Sequence, residues 1–314
     1  MILKTLSGVI PAHLLPFDKS LGIDEVGLRR HIRSLVDTDG VTGITTVAHA
    51  SEVASLSDAE QGQLLDLVID EVAGQVPVIA GIYDTANARA AQRARRFEAA
   101  GADALLIFPP ATWDMGHAQL PAMAAGYFSD IAEATTLPMI VFVYPTFSGL
   151  HIPTDNLVRI CAEVPNVIAV KEWSNDIITY ERNYRELKQL DKQISVLSSF
   201  SKALLPSLVV GADGILSGHG SIVAGLHVAL FRAMQVGDLG EARAVSARLY
   251  ASTSRIYKDP FVNGHNRMKT TLNLLDEFDC ALGRPPYVPI SDEEREVLAV
   301  AAQETGISME LENK

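Results

Sequence analysis

The 314-residue chain is 48% apolar and carries a formal net charge of −12. It can therefore bury a sizeable core, but it offers no basic face for nucleic acid, while an anionic small molecule stays within reach of a few local donors. Its two cysteines, Cys161 and Cys280, form neither a disulfide framework nor a zinc spacing. No uncharged apolar run reaches the ~18 residues of a membrane span, and the opening MILKTLSGVIPAHLLPF, broken by Pro11 and Pro16, has no signal-peptide pattern, so a reducing cytoplasm is expected.

In chain order, short apolar runs alternate with longer amphipathic ones. Residues 9–15, 43–47, 76–80, 104–108, 139–143, 167–170, 195–197 and 214–216 read as strands, several of them continuously apolar, as strands buried on both faces are. Residues 24–37, 57–71, 86–100, 120–134, 154–163, 177–190 and 201–210 read as the helices between them, with Ser57 and Thr154 as N-caps. A weak repeat supports the alternation: AAGADALLIF at 99–108 returns as VVGADGILSG at 209–218 and more loosely as GVTGITTVA at 40–48. Each copy ends a helix on glycine and opens a strand. Eight such units predict a (β/α)₈ TIM barrel rather than a doubly wound sheet. After about residue 220 the strand signals stop, and 223–235, 239–257, 266–278 and 291–305 read as helices. The expected organisation is a barrel over residues 1–220 and, over 221–314, a C-terminal helical extension packed on the barrel's side.

In such a barrel, chemistry sits at the C-terminal ends of the strands. Lys171, directly after Val170, is the sharpest candidate. A lysine entering a barrel mouth loses solvation, stays neutral more readily and can attack a ketone; the other reading is a lysine that leaves the strand for solvent. After the second strand, His49, Ala50 and Ser51 offer small residues whose amides can hold a carboxylate, or else form an ordinary loop. After the fifth strand, Tyr144 is either an acid/base hydroxyl or a structural aromatic before Pro145. After the eighth, Gly218 and His219 allow close approach of a ligand, unless His219 is a satisfied structural histidine. His13 is a weaker candidate. A metal site would need converging carboxylates and histidines, for which Glu52, Asp84, Glu172 and His219 are too scattered to form a motif. Neither a metal nor an organic cofactor is expected.

At these residues the sequence resembles the dihydrodipicolinate synthase / N-acetylneuraminate lyase family of class I aldolases and dehydratases. The resemblance runs nearly end to end, through GVIPAHLLPFDKSLGID, ASEVASLSDAE, VPVIAGIYDTANARAAQRARRFEAAGADALLIFPP, LPMIVFVYP, VIAVKEWS, GADGILSGHGSI and MKTTLNLLDEFDCALGRPPYVPIS. It implies a TIM barrel, a Schiff-base lysine at Lys171 and assembly as a homodimer or homotetramer. The departures are specific. The family's Gly-Thr-Thr-Gly-Glu reads Ala48-His49-Ala50-Ser51-Glu52, which leaves Ser51 as a substitute for a threonine hydroxyl. The strand-five tyrosine falls on Phe142, a carboxylate-binding arginine on Phe147, and an aromatic pair on Ala111 and Thr112. These departures resemble the members acting on 2-keto-3-deoxy sugar acids. A Schiff-base aldolase or dehydratase of a 2-oxo acid is expected. A synthase-type condensation of pyruvate with an aldehyde and a non-catalytic 2-oxo-acid binder are the alternatives. The proton relay is left open among Tyr144, His49, His219, Ser51 and a bound water.

Overall fold

The computed structural model describes residues 3–307; residues 1–2 and 308–314, the two ends of the expected domains, lie outside the described residues. Eight parallel strands form one sheet in the order β1-β8-β7-β6-β5-β4-β3-β2. They are β1 (Gly8–Pro11), β2 (Ile44–Thr46), β3 (Val78–Ile82), β4 (Ala104–Ile107), β5 (Met139–Val143), β6 (Val167–Glu172), β7 (Ser195–Ser198) and β8 (Gly214–Ser217). The two ends of the sheet meet through single bridges, Val9 with Val41 and Ala12 with Thr45. The result is a (β/α)₈ barrel.

Strand side chains alternate between two cores, as the period of two requires. Ile10, Ile79, Leu106, Ile140, Ala169, Leu197 and Leu216 fill the barrel interior. Val9, Val78, Leu105, Val141, Val170, Val196 and Ile215 face outward into a shell covered by helices. That double burial is why the strands read as unbroken apolar runs rather than as alternating ones.

The outer layer is α1 (Glu25–Val36), α2 (Asp58–Val72), α3 (Asn87–Ala100), α4 (Pro121–Ala132), α5 (Thr154–Glu163), α6 (Ile177–Leu187), α7 (Leu204–Val210) and α8 (Gly220–Gln235). Ser57 caps α2 in a capping box with Glu60. Thr154 does not cap α5. Pro153 holds that position, and the Thr154 hydroxyl instead donates to Asn183 Oδ1 at 2.7 Å. Gly101 and Gly211 end α3 and α7, as the internal repeat requires.

Counted by its helices, the barrel layer runs to Gln235, past the expected boundary at 220. The helices beyond it are α9 (Leu239–Ile256), α10 (Gly264–Leu274) and α11 (Asp292–Thr305). They do more than pack on the side: the α9–α10 connection and the segment after α10 reach the barrel mouth. Among the described residues, no helix is long and apolar enough to cross a membrane.

Candidate active site

A cavity of about 260 Å³ opens at the C-terminal ends of the strands. Its strand-borne wall follows a simple rule: each lining residue stands two positions after an inward-facing one. Ala12 follows Ile10, Tyr144 follows Phe142, Trp173 follows Lys171, Ser199 follows Leu197 and Gly218 follows Leu216. Side chains on one face of a strand recur every second residue, so an interior position predicts the next rung above it. The loop after β2 adds His49 and Ala50, and the α10 region adds His265 and Met268.

Lys171 sits inside this wall, 5% exposed. In the β5–β6 register it lies opposite Phe142, with Nζ 4.2 Å from the ring centroid. Among the described residues Nζ has no ion-pair or hydrogen-bond partner. Burial pulls the amine down from 10.5 to about 7, because water that would stabilise an ammonium is excluded and no carboxylate replaces it. Its neighbour Glu172 points the other way. That side chain accepts hydrogen bonds from Asn183 Nδ2 at 3.0 Å and the Ser174 amide at 3.2 Å. Burial raises the Glu172 carboxyl to about 7.

Tyr144 stands one residue past β5 and its hydroxyl is hydrogen-bonded to His49 Nε2. Burial raises the phenol well above its ordinary value. The His49 ring is framed edge-on by Phe108 at 4.8 Å, Tyr144 at 5.4 Å and Phe142 and Tyr83 at 5.9 Å. Burial, and then the nearby charges of His265 and Lys171, lower His49 to about 3. Both groups are therefore neutral at ordinary pH.

The loop 48–52 is held from two sides. Ser51 Oγ accepts from the Ala48 amide at 2.8 Å and donates to the Ala48 carbonyl at 3.1 Å. Its hydroxyl folds the loop and does not line the cavity, contrary to its expected substrate contact. Glu52 is fully buried, paired with Lys269 Nζ at 2.6 Å, and accepts the Arg284 amide at 3.1 Å. Beneath the loop, Gly81 has no room for a side chain, since a Cβ would meet Val47 O at 2.1 Å. The amides of His49, Ala50 and Ser51 have no acceptor among the described residues.

His219 also departs from expectation. It lies at the start of α8, fully buried, with Nε2 3.0 Å from Ser252 Oγ and Nδ1 3.3 Å from His227 Nε2. Strand parity explains this: Leu216 and Gly218 face inward, so His219 turns into the helical shell, and only Gly218 lines the cavity. His13 is likewise buried away from the cavity, between Thr46 Oγ1 and Leu14 O. The suggested metal ligands are dispersed: Asp84 is paired with Arg89 and Arg93, and Glu52, Glu172 and His219 are held as described. Among the described residues no three histidine, cysteine or acidic side chains come together in a metal-holding group.

Sequence reasoning did not find His265, Tyr257, Phe261 and Tyr287, all from the extension, nor Trp173 and Ser199. The alternation along β6 and β7 signals the last two. Nothing local signals the others. Among the described residues the cavity wall contains one lysine and no arginine, aspartate or glutamate.

The comparisons with known proteins agree with this architecture. Residues 5–305 match the model of the dihydrodipicolinate synthetase family. A 4-hydroxy-tetrahydrodipicolinate synthase of Methanopyrus kandleri is 32% identical over 78% of this chain and 79% of its own. An Escherichia coli protein described as a probable 2-dehydro-3-deoxy-D-pentonate aldolase is 24% identical over 97% of this chain and 99% of its own. Among solved structures, a Bacillus anthracis dihydrodipicolinate synthase superposes with a TM-score of 0.84 at 25% identity, covering 96% of this chain and 99% of that one. A prophage protein of the same family from Escherichia coli K12, solved with pyruvate, gives 0.87 at 22% identity, covering 96% and 99%. With the barrel, the end-to-end family match and the 32% identical relative together, the chain belongs to the dihydrodipicolinate synthetase family of lyases.

Proposed function

We propose that the protein is a Schiff-base lyase of a 2-oxo acid with a hydroxylated chain, of the 2-keto-3-deoxy sugar acid type, and that Lys171 carries the imine. The observation behind this reading is the place of that amine, buried in the cavity wall without a counter-ion among the described residues, an environment that lowers it to about 7. A neutral amine is nucleophilic, and a positive iminium is an electron sink for the neighbouring carbon.

The substrate carboxylate is placed against the unpaired amides of His49, Ala50 and Ser51. Lys171 Nζ adds to C2 and water leaves, giving the iminium. In cleavage the C4 hydroxyl loses its proton, the C3–C4 bond breaks, and its electron pair enters the iminium to give an enamine and an aldehyde. Protonation at C3 and hydrolysis then release the shortened 2-oxo acid and restore the amine. In dehydration the C3 proton leaves first, and the enamine expels the C4 hydroxyl as water after taking up a proton. Both routes need a proton carrier beside C3 and C4. The Tyr144–His49 pair fills that role in this reading. Tyr144 Oη takes the C4 proton as it passes its own to His49 Nε2. Part of what disfavours a charged His49 is the positive charge at Lys171. That charge vanishes as the electron pair reaches the imine nitrogen, so the proton becomes easier to hold in the same step.

The wall also bears on the alternative condensation of pyruvate with an aldehyde. A semialdehyde carrying a second carboxylate would find no arginine among the described lining residues, and Phe142 and Phe147 stand where the family resemblance places its tyrosine and arginine. A neutral hydroxylated chain suits the wall better. Assembly as a homodimer or homotetramer belongs to the same proposal, and light scattering tests it. The decisive experiment is borohydride reduction in the presence of pyruvate and of a 3-deoxy-2-oxo acid panel, followed by peptide mass mapping. Mass addition at Lys171, together with turnover that Lys171→Ala abolishes, is the expected result. An active Lys171→Ala variant would sink the reading, and trapping without turnover of any acid would favour a binder.

A further inference from the structure

We propose that His265 reads a hydroxyl of the substrate beyond the reacting carbons, and so sets the preference for polyhydroxylated 2-oxo acids. This rests on the Schiff-base reading above and adds a specificity residue from the C-terminal extension. His265 is the second residue of α10 and lines the same cavity as Lys171. It lies close enough to Lys171 and His49 for their charges to act on one another. The nearest aromatic ring is Tyr287, with centroids 6.5 Å apart.

The hydrogen-bond state of the wall separates its polar groups into two sets. Tyr144 Oη and His49 Nε2 are bonded to each other, and Ser148 Oγ accepts from the Leu150 amide at 3.2 Å. The side chains of His265, Ser199 and Tyr287 have no hydrogen-bond partner among the described residues, although all three line the cavity. Unpaired polar groups around a cavity are costly unless water or a ligand completes them. They therefore mark where a ligand's own polar groups belong.

The chemistry of His265 narrows the ligand. Burial, and then the nearby lysines Lys269 and Lys171, lower the imidazole to about 4, and the positive end of the α10 dipole acts in the same direction. A neutral imidazole offers one donor and one acceptor. An alcohol has the same pair, whereas a carboxylate only accepts and would gain no charge pairing here. Since Lys171 and the Tyr144–His49 pair occupy the C2–C4 region, His265 is left to the chain beyond it.

Three measurements on the full-length protein test this. Wild type, His265→Leu and His265→Gln are compared in borohydride trapping of pyruvate, and in kcat/KM on 3-deoxy-2-oxopentonate and on 4-hydroxy-2-oxopentanoate, which lacks the terminal hydroxyl. With no hydrogen bond to lose, His265→Leu is expected to melt near the wild-type temperature and to trap pyruvate at Lys171 as wild type does. Its kcat/KM on the pentonate should fall about 10- to 100-fold, the scale of one unmatched buried hydrogen bond. On the deoxy substrate it should fall less than about 3-fold by the same comparison. Glutamine, which keeps a donor and an acceptor, should recover part of the loss. Equal losses on both substrates, or none on the pentonate, with trapping intact, would overturn the role of His265 alone. Failure of wild type to trap pyruvate at Lys171 would instead overturn the Schiff-base reading, and this inference with it.

Discussion

Phe142 lies directly across the β5–β6 register from Lys171, and its ring face meets the Lys171 amine at 4.2 Å. The ring takes the place of water on one side of the nitrogen, and although its face attracts a positive charge, it brings no neutralising charge of its own. The amine is thereby kept short of solvent without being given a counter-ion. Had a carboxylate stood at position 142, the ammonium would be stabilised and the nucleophile lost.

Such an amine costs stability, and the cost has a definite pH dependence. Its folded-state value of about 7 lies below the ordinary 10.5. Unfolding therefore takes up a proton between those limits, and the lysine's contribution to stability improves as pH rises from 7 to 10.5. Below 7 the penalty is fully present. Lys171→Met should be more stable than wild type at pH 6 by at least about 2 kcal/mol. The gap should close as the pH approaches 10. Chemical denaturation of both proteins across that range checks it, and a gap independent of pH would contradict a depressed lysine.

The same value governs the imine. At pH 6 most of the amine is protonated, and at pH 8 most is free. The rate of pyruvate trapping, measured under saturating borohydride, should rise about tenfold from pH 6 to pH 8 and then level. A rise continuing to pH 10 would indicate a lysine of ordinary basicity.

Tyr144 and His49 are expected to act as one unit. Tyr144→Phe and His49→Leu should each lower kcat about 10²–10⁴-fold, the usual worth of a proton-transfer group. The double variant should be hardly worse than either single one, because removing one partner already disables the other. Pyruvate trapping at Lys171 should survive in all three. Strictly multiplicative losses would show that the two side chains work independently.

How much of this could be read from the chain alone follows from what each signal contains. Continuous apolar strands and helical runs report burial on both faces, so the barrel was legible. Lys171 was legible as a charge ending such a strand, and its direction is settled by its parity with Ala169. His219 reads either as a ligand contact or as a structural histidine, because sequence position at a strand end says nothing of direction until parity is counted from Leu216. Ser51 reads in the sequence as a donor to ligand, but a hydroxyl in a tight loop finds its own backbone first, as it does at Ala48. His265 and Tyr287 were out of reach for a different reason. They belong to the extension after α8, and helical periodicity shows which face is apolar, not which end of a barrel a connection crosses.

Glu172 supplies a stability prediction of opposite sign to Lys171. Its folded-state value of about 7 lies above the ordinary 4.5. The folded protein therefore holds a proton that the unfolded chain releases in that interval, and stability declines as pH rises from 4.5 to 7. Relative to Glu172→Gln, wild type should lose about 2–3 kcal/mol across that window. A constant offset between the two is expected in addition, since a glutamine amide faces the Ser174 N–H. The slope difference, read from denaturation at several pH values, is the test.

The Glu52–Lys269 pair ties the loop after β2 to α10, with both side chains fully buried. Breaking it from one side strands a charge in the interior, so Glu52→Gln or Lys269→Met should each cost about 3–5 kcal/mol. Replacing both together leaves no uncompensated charge, and the double variant should regain much of that loss. The pair thus links the loop bearing His49 and Ala50 to the helix bearing His265. Lys269→Met should therefore raise KM for the full-length acid more than it slows pyruvate trapping at Lys171. Loss of stability without that separation would mean the pair holds the fold together but does not set the geometry of the cavity.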